Sequence, residues 1–281
     1  MIKVIHPGIL MTIQDQGRVG FAHQGVPISG AMDLYAHNIA NALVNNDEDQ
    51  ATIEITMGAC TLEFLTDCEV SLTGGNFSPT LNESPLVMNK KLNVAEGSIL
   101  KLGKRVYGTR TYLAIAGGII SEKILGSQSY YKSITDSFFL KKGDHIQIRN
   151  KKTTNKTSYA KLGEGDIYTN EPLTCYKGPE FERLTKEQQE RIVTEAFTIS
   201  RNNSRMGYIL NESLENNLGS MLSSGVLPGT VQLTPSGKLI VLMRDCQVTG
   251  GYPRVLQLTE QSINKLAQKT TAEKVNFKIV G

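Results

Sequence analysis

Tryptophan is absent from the 281 residues, aromatic side chains make up only 6%, and the chain carries just four cysteines and four histidines. Each scarcity excludes something. Surfaces that bind nucleic acid combine a basic stripe with interleaved aromatics. Here 30 basic residues stand against 27 acidic ones for a net charge of +3, dispersed except around Lys151-Lys152, so no nucleic-acid partner is expected. Cys60, Cys68, Cys175 and Cys246 show no C-x-x-C spacing, and His6, His23, His37 and His145 form no ligand pair along the chain. No metal site is expected, and the thiols read as reduced and mostly buried. No apolar run approaches the ~20 residues of a membrane-spanning helix. The start, Met1 to Pro7, lacks the basic segment, apolar stretch and cleavage site of a secretory signal. The expectation is a soluble, cytoplasmic chain with no membrane partner.

What is present is ordinary globular composition, 40% hydrophobic and 20% charged, in a chain long enough for two small domains. Most of it reads as short strands. Thr61–Leu65 and Glu69–Leu72 alternate apolar and polar residues as half-buried strands do, and Tyr107–Ile115 is a further strand closed by Gly117-Gly118. Leu239–Met243 is a continuous apolar run that fits a strand buried on both faces. Helices are few. Met32, Tyr35, Ala36, Ile39, Ala40 and Leu43 predict a helix over Ala31–Val44. Thr185 to Gln188 is a capping box that opens a helix ending near Ala196, and Thr259 caps a short third helix. Three turns share a pattern, at Ala95-Glu96-Gly97-Ser98, Lys141-Lys142-Gly143-Asp144 and Thr271-Ala272-Glu273-Lys274, with Ala272 standing where the others have Gly. Each reads as a tight turn feeding a strand at a barrel rim.

The fold class expected is all-β with a few helices. A polar stretch divides it into an N-terminal domain over 1–150, a linker over 151–166 and a C-terminal domain over 167–281. A faint internal echo links the halves. Arg18-Val19-Gly20-Phe21, Gly25-Val26-Pro27 and Thr73-Gly74-Gly75 recur in order as Arg205-Met206-Gly207-Tyr208, Gly225-Val226-Leu227-Pro228 and Thr249-Gly250-Gly251.

Two stretches are dense in glycine, proline and reactive polar residues, Gln14 to Asp33 and Arg244 to Pro253. Glycine lets backbone approach a ligand or present N–H groups to an anion, and arginine holds a carboxylate by a two-pronged pair. Asp15, Asp33 and Asp245 are candidate bases or acceptors. The structural alternative stands beside this: glycine and proline make turns, and Arg–Asp pairs brace them. For Ser29 helix capping outweighs a nucleophile, and Cys246 reads as a buried strand thiol. No Walker A loop, no G-x-G-x-x-G opening a helix after a strand and no G-x-S-x-G elbow occurs.

The same residues carry a family resemblance. Pro7-Gly8 with Thr12 to Arg18, and above all Gly25-Val26-Pro27-Ile28-Ser29-Gly30-Ala31-Met32-Asp33, resemble the allophanate hydrolase subunit 2 family. Glu54-Ile55-Thr56, Thr111 to Ile119, Leu125-Gly126-Ser127, Ser204 to Tyr208, Gly225 to Gln232 and Thr249 to Pro253 continue it nearly end to end. That family includes the C subunit of bacterial ATP-dependent 5-oxoprolinase, the antagonist of the KipI kinase inhibitor, and part of the urea carboxylase carboxyltransferase domain. The chain departs from it modestly at Thr73-Gly74-Gly75-Asn76 and at Cys246. The resemblance implies two cyclophilin-like β-barrels. It implies a component of an enzyme that uses ATP to hydrolyse 5-oxoproline to glutamate, acting with a small homologous subunit (B-like or KipI-like) and a third, A-like subunit. A biotin-dependent carboxyltransferase role and a non-catalytic kinase-inhibitor antagonist are the alternatives. Asp15 and Asp245 are then the candidate catalytic residues. Arg18, Gly25, Ser29, Arg205, Gln247, Thr249, Gly250 and Tyr252 are the candidate substrate contacts, with ATP the co-substrate of the complex.

Overall fold

In the computed structural model, residues 1–149, 171–219 and 221–280 are described, and the linker expected over 151–166 lies outside them. The chain divides into two compact units. The first holds residues 1–18 and 29–149, and the second holds residues 19–28 and 171–280.

The first unit is built on two antiparallel sheets. In one, Ile2–His6 is flanked by His145–Ile148 and Cys60–Phe64, with Ile99–Leu102 beyond. In the other, Leu10–Gln14, Thr52–Thr56, Tyr107–Ile115, Cys68–Asn76 and Lys91–Val94 follow one another across the sheet. Ile2, Val4, Ile53, Ile55, Leu62, Phe64, Leu72 and Leu113 interdigitate as one core. Burying one such side chain contributes about 1.5–3 kcal/mol, so this core is a main source of the unit's stability. Cys60–Phe64 shows the alternating burial expected of a half-covered strand.

Cys68–Asn76 does not. The alternation read over Glu69–Leu72 predicts one wet face, yet Ser71 and Thr73 are fully buried. The reason is the helix α1, Leu34–Leu43, which lies over that face. Ser71 Oγ donates to the Ala40 carbonyl at 2.5 Å and Thr73 Oγ1 to the Ala36 carbonyl at 2.6 Å, so each buried hydroxyl is satisfied by helix backbone. Ala31, Ala36, Ala40, Tyr112 and Ala114 fill the layer between helix and sheet. Small residues there let the helix sit close. The helix begins at Leu34 rather than Ala31 because Asp33 takes the N-cap, accepting from Ala36 N at 3.0 Å.

The second unit is an eight-stranded sheet that curls into a nearly closed barrel. Phe197–Asn203, Gly207–Ser213, Lys238–Leu242, Thr230–Leu233, Arg254–Leu258 and Leu173–Lys177 are successive neighbours in it. The helix α2, Lys186–Thr194, has the expected capping box: Thr185 accepts from Gln188 N, and Gln188 Oε1 accepts from Thr185 N at 2.7 Å. The helix α3, Glu260–Ala267, is capped by Thr259 as expected and buries Ile263 and Leu266. The strand read as buried on both faces is not. Leu239 and Val241 enter the core, whereas Ile240 is only half-buried and lines a surface groove.

The three matching turns all take the left-handed conformation, Gly97 at φ 79°, Gly143 at φ 90° and Ala272 at φ 68°. Ala272 therefore adopts a backbone that glycine accepts freely and an L-residue resists.

Candidate functional site

In the first unit, Asp15 follows the strand Leu10–Gln14 and ties three segments together. Its carboxylate accepts from Ser127 Oγ and Ser129 Oγ, both at 2.6 Å, from Gln128 N at 2.6 Å and from Gly17 N at 2.8 Å. Its carbonyl accepts from Ala31 N at 2.9 Å. Four donors from the chain itself converge on this carboxylate, the geometry of a brace. Arg18 is also buried, and its Nη2 donates to the Ser129 carbonyl. Gly30 sits so close to the Asp15 turn that a Cβ there would lie 3.0 Å from the Asp15 carbonyl oxygen. Ser29 beside it has φ 57° and a buried hydroxyl with no hydrogen-bond partner among the described residues. It does not cap α1, since Asp33 does. The loop is thus shaped by backbone strain and close approach rather than by capping.

Deeper in the unit, Asp33, Glu54 and Tyr112, which the sequence does not join into one site, form a cluster. Glu54 Oε2 accepts from Met32 N and from the Tyr112 hydroxyl, both at 2.8 Å, and the Tyr112 oxygen accepts from Asp33 N at 2.8 Å. Arg110 Nε stands 3.8 Å from Glu54 Oε1. Burial, with the nearby charges of Glu54 and Asp33, pushes the Tyr112 phenol well above its ordinary range, so it remains a donor. These contacts fix the start of α1 against the sheet. The signal available was Glu54 in the middle of an apolar strand.

In the second unit, Arg205 and Asp245 are brought together. Gly25 closes a short 3₁₀ turn over Ala22–Gln24 at φ 77°, donating its N–H to the Ala22 carbonyl at 2.9 Å. Arg205 Nε donates to Asp245 Oδ2 at 2.7 Å and Nη2 to Oδ1 at 3.0 Å, and Asp245 N returns a bond to the Arg205 carbonyl at 2.9 Å. Cys246 lies in the following turn rather than in a strand, packed with Val226 and Leu242. Burial, with the charge of Asp245 beside it, pushes its thiol up to about 12. That environment keeps the thiol protonated at neutral pH and works against its acting as a nucleophile.

The two C-terminal motifs meet as a small ribbon. Ser224–Gly225 pairs with Thr249–Gly250, and Arg254 Nη1 donates to the Gly225 carbonyl at 3.1 Å. Arg254 is itself forked onto Glu180, Nε to Oε2 at 3.0 Å and Nη2 to Oε1 at 2.9 Å. That pair holds the Glu180 carboxyl below the usual carboxylate range. Gly250 faces Gln232 so closely that a Cβ would come within 2.6 Å of Gln232 Nε2. A side chain there would push the Gln232 amide aside.

Beside this ribbon is a groove of about 520 Å³. Ile240 and Leu242 give it apolar lining, and Gln232, Gln247, Tyr252 and Arg201 give it polar groups. Two of the candidate substrate contacts, Gln247 and Tyr252, therefore share one surface, with Thr249 and Gly250 on the adjoining ribbon. A partly apolar groove with convergent amides, a phenol and one cation is suited to a small polar organic molecule. Among the described residues no three of His, Cys, Asp and Glu converge as a metal site, and no helix is long and apolar enough to cross a membrane.

The family called "Carboxyltransferase domain, subdomain A and B" matches residues 24–279, nearly all of the chain. The chain belongs to that family. Among carboxyltransferase-domain proteins it is similar to the 5-oxoprolinase C subunit of Escherichia coli (strain K12), 34% identical over 286 residues that cover 99% of this chain and 90% of the relative. It is also similar to the 5-oxoprolinase C subunit of Haemophilus influenzae, 29% identical over 291 residues that cover 100% of this chain and 91% of the relative. The structure superposes on the urea carboxylase of Kluyveromyces lactis with a TM-score of 0.88 at 25% identity. That match covers 100% of this chain and only 27% of the other, so the chain corresponds to about a quarter of that enzyme.

Proposed function

We propose that this carboxyltransferase-domain chain is the C-type subunit of an ATP-dependent 5-oxoprolinase. It acts with a small homologous subunit and a third subunit to hydrolyse 5-oxoproline to glutamate. The observation that supports this best is end-to-end similarity to relatives bearing that subunit name, which share the whole length and not one motif. A lactam amide is stabilised by resonance, and coupling its hydrolysis to ATP is a chemically reasonable way to drive it. The groove of the second unit fits the recognition side of that task. Gln232 and Gln247 each carry a donor and an acceptor for an amide, and Tyr252 adds a hydroxyl beside an apolar floor. Thr249 and Gly250 form the edge of the groove's supporting ribbon.

In this reading Asp15 and Asp245 brace the loops that Arg18, Gly25, Ser29 and Arg205 shape, and the reacting groups come from the assembled complex. A triphosphate does not suit this groove, whose described lining holds one cation. A second reading, carboxyl transfer from biotin, is favoured by the close superposition on urea carboxylase. Co-expression with the two partner subunits, sizing of the product and assay of glutamate from 5-oxoproline plus ATP test the proposal. Co-elution with ATP-dependent glutamate release is expected. Separate peaks with no glutamate, or biotin-dependent carboxylation of urea instead, would contradict it.

A further inference from the structure

Arg201 differs from the other described arginines of the second unit. Arg205 is forked onto Asp245, Arg254 onto Glu180, Arg191 onto Glu195 and Arg244 onto Glu260, while Arg183 donates to the Leu218 carbonyl. The Arg201 side chain is exposed and makes no hydrogen bond or ion pair with another described side chain or carbonyl, yet it lines the 520 Å³ groove and also an adjoining hollow of about 450 Å³. Among the described residues no aspartate or glutamate lines either one. The formal charge that they turn toward this space is therefore positive and uncompensated.

The backbone around Arg201 is built to re-aim side chains. Ile199 stands opposite Leu210 and Asn203 opposite Tyr208, so four residue steps on one strand face two on the other. Arg201 and Asn202 fall in this bulge, which Ser200 holds, its Oγ accepting from Asn202 N at 3.0 Å and its carbonyl from Asn203 Nδ2 at 2.8 Å. A second bulge lies on the strand Arg254–Leu258, opposite Gln232: Val231 pairs with Leu256 but Gln232 pairs with Arg254, which leaves Val255 as the extra residue. Bulges turn side chains out of the regular alternation and gather beside functional sites. Here Arg201 and Asn202, the residues of the first bulge, both line the groove, and Gln232 lines it from opposite the second.

We propose that Arg201 is the carboxylate-binding residue of this groove, and that the groove takes a small monoanionic carboxylic acid with an amide-bearing, partly apolar body. One guanidinium matches one carboxylate in both charge and planar geometry. A polyphosphate would ask for several cations or a nest of backbone N–H groups. Gln232 and Gln247 meet the amide, and Ile240 and Leu242 meet the methylene part. 5-Oxoproline has all three features; that identification rests on the functional reading above, whereas the charge and shape of the ligand do not.

The test uses the full chain with glutamine side-chain amides labelled for NMR. It is titrated with 5-oxoproline, with 2-pyrrolidinone, which is the same lactam without the carboxylate, and with inorganic phosphate. The expected result is saturable shifts of the Gln232 and Gln247 amides by 5-oxoproline and at least ~10-fold weaker binding of 2-pyrrolidinone, the loss typical of a charge-assisted hydrogen bond. Arg201→Gln should erase that difference while leaving the melting temperature unchanged, because no internal partner is lost. Arg201→Lys should restore part of it. Equal binding of the two lactams, no shift with 5-oxoproline, unaltered binding in Arg201→Gln, or phosphate binding as tightly as 5-oxoproline would overturn the assignment. The assembled complex separates this from the broader reading. Glutamate release with an unchanged KM in Arg201→Gln would sink the Arg201 role alone. Arg201-dependent carboxylate binding without any glutamate release would sink the 5-oxoprolinase reading alone.

Discussion

Arg205 and Asp245, 40 residues apart in sequence, meet in a two-pronged ion pair with Nε to Oδ2 at 2.7 Å and Nη2 to Oδ1 at 3.0 Å. Both side chains are about nine-tenths buried, at 10% and 11% exposure. The pair therefore holds the Arg205 turn against the turn that carries Cys246. Both turns border the groove through Ser204, Met206 and Gln247.

Lysine keeps the charge of Arg205 but loses the fork. Arg205→Lys is expected to lower unfolding free energy by about 1–2 kcal/mol, in line with the loss of a charge-assisted hydrogen bond. The KM of the surviving complex should be unchanged. Urea denaturation beside steady-state kinetics checks this. A raised KM with unaltered stability would show that Arg205 touches substrate.

Ala272 sits at φ 68° in a turn where its two counterparts are Gly97 and Gly143. Relief of the left-handed penalty outweighs the extra chain entropy of glycine, so Ala272→Gly should raise stability by about 0.5 kcal/mol. Gly143→Ala should lower it by about 1 kcal/mol. Thermal melts of the two variants should move in opposite directions, and shifts of the same sign would refute the strain assigned to these turns.

Much of this local chemistry was legible in the sequence. The capping box at Thr185 and the Thr259 cap depend on residues three apart, and the turn at Ala272 was aligned with two glycine turns by pattern alone. What was not legible depends on elements far apart in sequence. Ser71 reads as solvent-facing because period-two alternation carries no information about a helix lying over the strand. Asp33 displaced Ala31 as the helix start because the segment before it is drawn to Glu54 and Tyr112. Arg201 was hidden for a related reason: its place at the groove follows from a bulge, and a bulge is set by register with the neighbouring strand.

The Glu180 carboxyl is held below its ordinary range chiefly by its hydrogen bond with Arg254. A depressed folded-state pKa means that the stabilisation is fully present above the ordinary glutamate range. It is lost as pH falls below that range toward the lowered value. Glu180→Gln should therefore remove part of the stability at neutral pH and flatten the acid limb of the stability profile below the ordinary glutamate range. Melts across that range test it, and parallel acid limbs for the two proteins would contradict it.

With its thiol pushed up to about 12, Cys246 should resist alkylation in the native protein at neutral pH. Cys246→Ala should lower stability by about 1 kcal/mol through lost packing against Val226 and Leu242, without loss of turnover by the assembled complex. Mass spectrometry after brief iodoacetamide treatment, with an activity assay of the variant, decides between a packing thiol and a reactive one.

The most direct measurement is glutamate production and ATP consumption by the reconstituted complex, with this chain either included or left out. Glutamate from 5-oxoproline is expected to accumulate in step with ATP consumed only when this chain is present. Undiminished glutamate production in its absence would contradict the 5-oxoprolinase assignment.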